Sequence, residues 1–273
     1  MPFAQNNETK IYWEEHGTGD PILLIMGLGV TLEGWRRLLP ALSPNYRVIL
    51  LDNRGAGRSS DTAAGVSIFD MATDAKAVLD SAGVESAHIM GASMGGMIAQ
   101  ELVLNYPESV RSLILSVTMC GGREAVLADM KVLLTLQSLG AMSATAAFWT
   151  MTPFIYDAST PRSVLEDDLN ERLQHSLKPQ NYLDQLQAIS TWQGTFSRLG
   201  QIRVPTLVLH GVNDQLIVPQ NGRNLAAAIP KAELVELENA SHMFVADQPE
   251  RSAAAILSFL AFRRDRPRAQ DFW

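Results

Sequence analysis

One cysteine, Cys120, occurs in the 273 residues, so no internal disulfide is available and a cysteine-stapled scaffold is excluded. A lone thiol fits a reducing compartment. Basic residues are the minority: 22 Lys and Arg stand against 29 Asp and Glu, a formal net charge of −7. Nucleic-acid binding needs a basic face for phosphate contacts, and this balance argues against it. The small basic cluster Arg263, Arg264, Arg266 and Arg268 near the C-terminus reads as a solvated helix end and tail. Long apolar runs are missing too. No stretch reaches the roughly 18 consecutive apolar residues of a membrane span, and residues 1–8 show neither a basic nor an apolar leader region. The expectation is a soluble, cytoplasmic protein. Repeats and low-complexity tracts are absent. A chain of this length makes one or two domains and buries enough surface to need no metal or disulfide staple.

The apolar residues that are present come in short runs. Pro21 to Met26, Tyr46 to Leu51, Ser86 to Met90, Val110 to Leu115, Val204 to Leu209 and Ala232 to Leu237 are continuous rather than alternating. Strands covered on both faces, as in a parallel sheet, read this way. Between them lie helical spacings, Phe69 to Ala82, Met97 to Tyr106 and Gln220 to Ile229, bounded by Gly or Pro. Lys10 to Gly17 reads as an antiparallel strand. The alternation of strand and helix predicts an α/β fold with a mostly parallel sheet flanked by helices. It breaks between Gly122 and Gly200, where Glu124 to Leu139, Ser163 to Gln174 and Tyr182 to Ile189 look helical and no strand-like run intervenes. The division expected is a core of residues 1–121 and 201–273, with a helical cap, 122–200, inserted over one end of the sheet.

Gly91-Ala92-Ser93-Met94-Gly95 follows one predicted strand and precedes a helix. A serine at so tight a turn needs small neighbours, and it gains a hydroxyl held clear of the sheet at the positive end of a helix. Serine alone is a weak nucleophile and requires a base with an orienting acid. Of five histidines, His242 follows the last strand-like run, and Asp214, in Gly211-Val212-Asn213-Asp214, follows the preceding one. Loops at the carboxyl ends of strands are where α/β sheets place their chemistry. The chain order Ser93, Asp214, His242 is the one expected with this turn motif. Met94, next after the serine, offers its backbone N–H to a developing oxyanion. Activity is then expected to fall as His242 takes up a proton on acidification.

With Asp52-Asn53-Arg54-Gly55-Ala56-Gly57-Arg58-Ser59, Gly211-x-x-Asp214 and Ser241-His242 added to the serine turn, the chain resembles the α/β-hydrolase fold superfamily over residues 8 to 262. The resemblance implies eight strands, a helical cap over the site, and no metal or organic cofactor. It also implies Leu28 N–H as the second oxyanion donor, in Met26-Gly27-Leu28-Gly29, where family members often carry His-Gly in place of Met26-Gly27. How the loop is then pinned is open.

Met26, Met94 and Met243 adjoin these residues, and the insertion adds Met130, Met142, Phe148, Trp149, Met151, Phe154 and Trp192. They predict a flexible apolar pocket, with Trp35, Met130, Met142, Trp149, Trp192 and Met243 as candidate walls. The bland alternative is core packing between helices and sheet, and for Trp35 the two readings stand level. The insertion shows no cluster of Lys or Arg, so a highly charged substrate is not expected. The leading expectation is a serine hydrolase of a small-molecule carboxylic ester or lactone. The alternatives are a C–C bond hydrolase or cofactor-free perhydrolase on the same triad, and a non-catalytic ligand-binding protein of the same fold. Oligomeric state is not legible.

Overall fold

The apolar runs become strands because both faces of each are covered. Leu23, Ile25, Ile49, Leu51, Leu113 and Leu115 point into one core cluster, and their neighbours Ile22, Leu24, Val48, Leu50 and Ile114 into another on the opposite face. The computed structural model describes residues 3–175 and 177–264. Strands β1 (Phe3–Asn6), β2 (Thr9–His16), β3 (Asp20–Ile25), β4 (Tyr46–Leu51), β5 (Ala87–Ala92), β6 (Val110–Ser116), β7 (Thr206–Gly211) and β8 (Glu233–Leu237) form one sheet in the order β1-β2-β4-β3-β5-β6-β7-β8. The first two pairings are antiparallel and the rest parallel, with Leu23 opposite Ile49 and Ile89 opposite Leu113. β1, four residues on the outer edge beyond β2, has no counterpart among the runs read from the sequence.

Helices cover the two faces. α1 (Leu39–Leu42) packs on the second face, and α2 (Ile68–Ser81) and α3 (Met94–Asn105) on the first. α2 opens on a capping box in which Ser67 and Asp70 satisfy each other's backbone N–H groups, a device that contributes about 1 kcal/mol. Between β6 and β7 run α4 (Met130–Ser138), α5 (Ala144–Ile155), α6 (Arg162–Gln174) and α7 (Pro179–Thr191), around a third cluster that includes Val132, Phe148, Met151 and Ile155. After β7 come α8 (Gln220–Ala228) on the first face, then α9 (Phe244–Asp247) and α10 (Pro249–Arg264) on the second. No helix among the described residues is long and apolar enough to cross a membrane. Of the basic C-terminal cluster, Arg266 and Arg268 lie outside the described residues, as do the side chains of Arg263 and Arg264.

Candidate active site

Ser93 joins β5 to α3 with φ 57° and ψ −122°, a left-handed conformation that a side chain adopts only under strain. The surroundings enforce it. Its N–H donates to Ser116 O at 2.9 Å, and its carbonyl accepts the Thr118 hydroxyl at 2.7 Å. A Cβ on Gly91 would sit 2.1 Å from Gly95 O, and one on Gly95 would sit 2.1 Å from Ile25 O. Both flanking positions therefore exclude any side chain. The Ser93 hydroxyl makes no capping hydrogen bond with α3, so it stands free at the positive end of that helix.

Asp214 and His242 follow β7 and β8, at the same carboxyl edge of the sheet as Ser93. His242 Nδ1–H donates to Asp214 Oδ2 at 2.8 Å, which leaves Nε2 with its lone pair. Asp214 Oδ1 accepts the Leu216 and Ile217 N–H groups, each at 2.9 Å. Burial alone would push this carboxyl up. Attraction to His242, its hydrogen bond and the nearby His210 ring outweigh that, and hold it below the usual carboxylate range. His210 Nε2 lies 3.5 Å from Asp214 Oδ2 and donates to Ile217 O at 2.7 Å, so it ties down the turn that presents the two amides. Among the described hydrogen bonds none joins the Ser93 hydroxyl to His242; the two residues meet as walls of one cavity.

The loop Met26 to Gly29 crosses directly above the serine: a Cβ on Gly27 would lie 2.9 Å from Ser93 Cβ. Neither the Leu28 nor the Met94 N–H has a protein acceptor among the described hydrogen bonds. The pin that the missing histidine left open is found in two amides. Asn53 Nδ2 donates to Met26 O at 2.8 Å, and Gln185 Oε1 accepts Gly29 N–H at 3.0 Å while its Nε2 donates to Arg54 O at 2.9 Å. Gln185 is fully buried and belongs to α7, so a helix of the insertion holds the loop from above. Asp52 closes the neighbouring turn by accepting Leu32 N–H at 2.9 Å and Arg58 N–H at 3.0 Å. Gln185→Met keeps the volume and loses both hydrogen bonds. It is expected to lower kcat by about 10- to 100-fold, the scale for a displaced oxyanion donor, with a much smaller change in KM. Steady-state kinetics on an aryl ester checks this; equal losses in both parameters, or none, contradict the positioning role.

The cavity measures about 1020 Å³ and runs between the carboxyl edge of the sheet and the four helices α4 to α7. Of the residues expected to wall it, Trp35, Met142, Trp192 and Met243 do, together with Leu28 and Ser93. Trp35 is also fully buried in the core, so both readings of it hold. Met130 and Trp149 do not line the cavity. Met130 opens α4 at its exposed edge, 66% accessible. Trp149 follows Phe148 on α5, and because Phe148 and Met151 take the inward face the next position turns away, to lie under the Arg162 guanidinium at 4.0 Å. Charge at the cavity comes from both parts of the chain: Arg36 and Arg37, outside the insertion, border it with Arg123, Arg172, Asp168 and Glu171. Asn53, Gln185, His210 and Thr118 carried no role in the sequence reading. Asn53 alone lies inside a motif that could have marked it.

An eight-stranded, mostly parallel sheet that presents a strained serine turn at its carboxyl edge is the architecture of the α/β hydrolases. The chain belongs to the alpha/beta hydrolase fold family, whose model matches it from residue 20 to residue 249. It is 34% identical over 267 residues to a protein of Azorhizobium caulinodans named as a carbamate hydrolase, RutD, covering 95% of this chain and 98% of that one. It is 30% identical over 274 residues to a 2-hydroxy-6-oxononadienedioate/2-hydroxy-6-oxononatrienedioate hydrolase of Paraburkholderia phymatum, covering 93% and 91%. Among solved structures, an esterase from Thermogutta terrifontis aligns with a TM-score of 0.84 at 24% identity over 95% of this chain and 97% of that one, a likeness of fold.

Proposed function

We propose that this protein is a serine hydrolase that cleaves a carboxylic ester or lactone of a small-to-medium, largely apolar acyl group through an acyl-enzyme on Ser93. One observation carries the reading: a free hydroxyl on a strained turn shares its cavity with an imidazole whose Nδ1–H is fixed on a buried carboxylate. Ser93 Oγ attacks the acyl carbon as its proton passes to His242 Nε2, and Asp214 stabilises the imidazolium so formed. The oxyanion rests on the Leu28 and Met94 N–H groups. His242 returns the proton to the departing alkoxide as the C–O bond breaks. Water then gives a proton to His242, attacks the acyl carbon, and releases the acid with the serine restored. Residues 122–200 act as the cap that walls the site and sets acyl specificity. No metal or organic cofactor enters the scheme.

A second reading keeps the triad and changes the bond, to a carbamate or to a C–C bond beside a ketone. The names of the two relatives favour it at 34% and 30% identity. Stoichiometric labelling of Ser93 by an organophosphate is expected, and a protein that stays unlabelled has no activated serine. Turnover of a panel of aryl esters, lactones, carbamates and vinylogous diketones then separates the readings. Carbamate or diketone values of kcat/KM that exceed every ester and lactone overturn the first reading in favour of the second.

A further inference from the structure

Helix α6 turns a polar face to the cavity. Asp168, Glu171, Arg172 and His175 recur at the three- and four-residue spacings of one helical stripe, and all four border the cavity. Three of the four have partners. Asp168 accepts from Arg36, from Arg37 at 2.8 Å and from the Tyr156 hydroxyl at 2.9 Å. Glu171 holds His175 Nδ1 at 2.8 Å. Arg36 and Arg37 are also satisfied by Asp167, at 2.7 and 2.6 Å. Arg172 has no carboxylate within ion-pairing distance among the described residues. Its guanidinium lies 5.6 Å from the Phe148 ring centroid, a half-buried cation against an aromatic wall. Its charge also reaches Tyr156 and Tyr182; burial pushes both phenols up, and Arg172 draws them back. Arg123, the other cavity arginine without an anionic partner, is exposed at the rim.

A partly desolvated guanidinium with no ion-pair partner, in a cavity whose other charged groups apart from Arg123 at its edge are mutually paired, is costly unless an anion arrives with the ligand. We propose that Arg172 binds a carboxylate on the substrate, so that the preferred acyl group is an apolar chain ending in a carboxylate remote from the scissile carbonyl. This deepens the serine-hydrolase reading and rests on it for the scissile end of the substrate. The guanidinium's planar fork suits a two-point carboxylate contact, and Leu133, Leu136, Phe148 and Met151, which line the cavity that Arg172 shares with Ser93, suit the methylene chain.

The test uses 4-nitrophenyl monoesters of the dicarboxylic acids from succinic to suberic, each paired with its ω-carboxamide, a neutral group of the same shape. At the best chain length the wild type is expected to prefer the carboxylate, and Arg172→Met to lower the carboxylate-to-carboxamide ratio of kcat/KM by about 10- to 100-fold. The ratio cancels any general loss of activity. Arg172→Lys is expected to restore part of it, and Arg172→Gln serves if the Met variant does not fold. A ratio that is the same in wild type and variant overturns the proposal. Calorimetric titration of adipate and suberate into Ser93→Ala, with and without Arg172→Met, gives a readout independent of turnover. Binding that disappears with Arg172 supports the subsite even if no ester is cleaved, and binding indifferent to Arg172, or absent from both proteins, sinks it.

Discussion

Ser93→Ala is expected to lower kcat by about four to six orders of magnitude and to leave the protein as stable as before. The two halves of that result have separate causes. Turnover goes because no other nucleophile stands at the turn. Stability stays because the hydroxyl makes no capping hydrogen bond, and alanine keeps both the Cβ and the strained backbone. Ser93→Gly separates strain from chemistry. A residue held at φ 57° and ψ −122° costs about 1–3 kcal/mol, and glycine releases that cost while losing about 0.5–1 kcal/mol of chain entropy. The glycine variant should therefore melt at or above the wild-type temperature and be as inactive as the alanine one. Steady-state assay and thermal melting of both variants check the pair. An alanine variant that retains more than a few per cent of turnover rules the covalent mechanism out.

Asp214→Asn is expected to cost about four orders of magnitude in kcat. The carboxylate can only accept, so it fixes His242 with the hydrogen on Nδ1 and the lone pair on Nε2. The asparagine carbonyl is drawn to the Leu216 and Ile217 N–H groups, which Oδ1 serves at 2.9 Å in the wild type. Its amide then faces the imidazole and turns it to the tautomer that cannot accept the serine proton. The substitution also alters acid stability. The Asp214 carboxyl is depressed in the folded protein, so its contribution is complete above the ordinary carboxylate range and disappears as the pH falls from that range through the folded value. The wild type therefore loses stability over that acidic window with a slope that Asp214→Asn lacks. Urea unfolding at a series of pH values from neutral to strongly acidic measures both slopes. Parallel slopes, or an asparagine variant within tenfold of wild-type kcat, would each contradict this account of Asp214.

Much of the sheet was legible because its strands are covered on both faces. Tyr46 to Leu51 was read with the bounds the structure gives, since five of its six residues are buried and only Arg47 is polar and half-buried. β1 left no such trace: its four residues alternate exposed and buried at an outer edge and are held by one neighbour. At the candidate site, Ser93, Asp214 and His242 could be singled out because each follows the end of a strand, and strand ends are visible in the chain. Gln185 could not, because its partners Gly29 and Arg54 lie more than a hundred residues away and nothing beside it marks the contact. Arg172 was overlooked for a different reason. A polar stripe on a helix reads as a solvated face, and only the fold shows that this one looks into a cavity.

Helix α7 grips the loops that follow β3 and β4 at more than one point. Besides Gln185, Asn181 donates to Gly55 O at 3.0 Å and accepts the Thr62 hydroxyl at 3.0 Å. The helices above the site are therefore no exchangeable module. Under the proposed mechanism, a chimera that grafts a relative's helices onto this sheet, in order to broaden the range of acids released, would forfeit catalytic speed along with the old selectivity unless the donor brought an amide to the same depth. In this scaffold, selectivity and rate are inherited together.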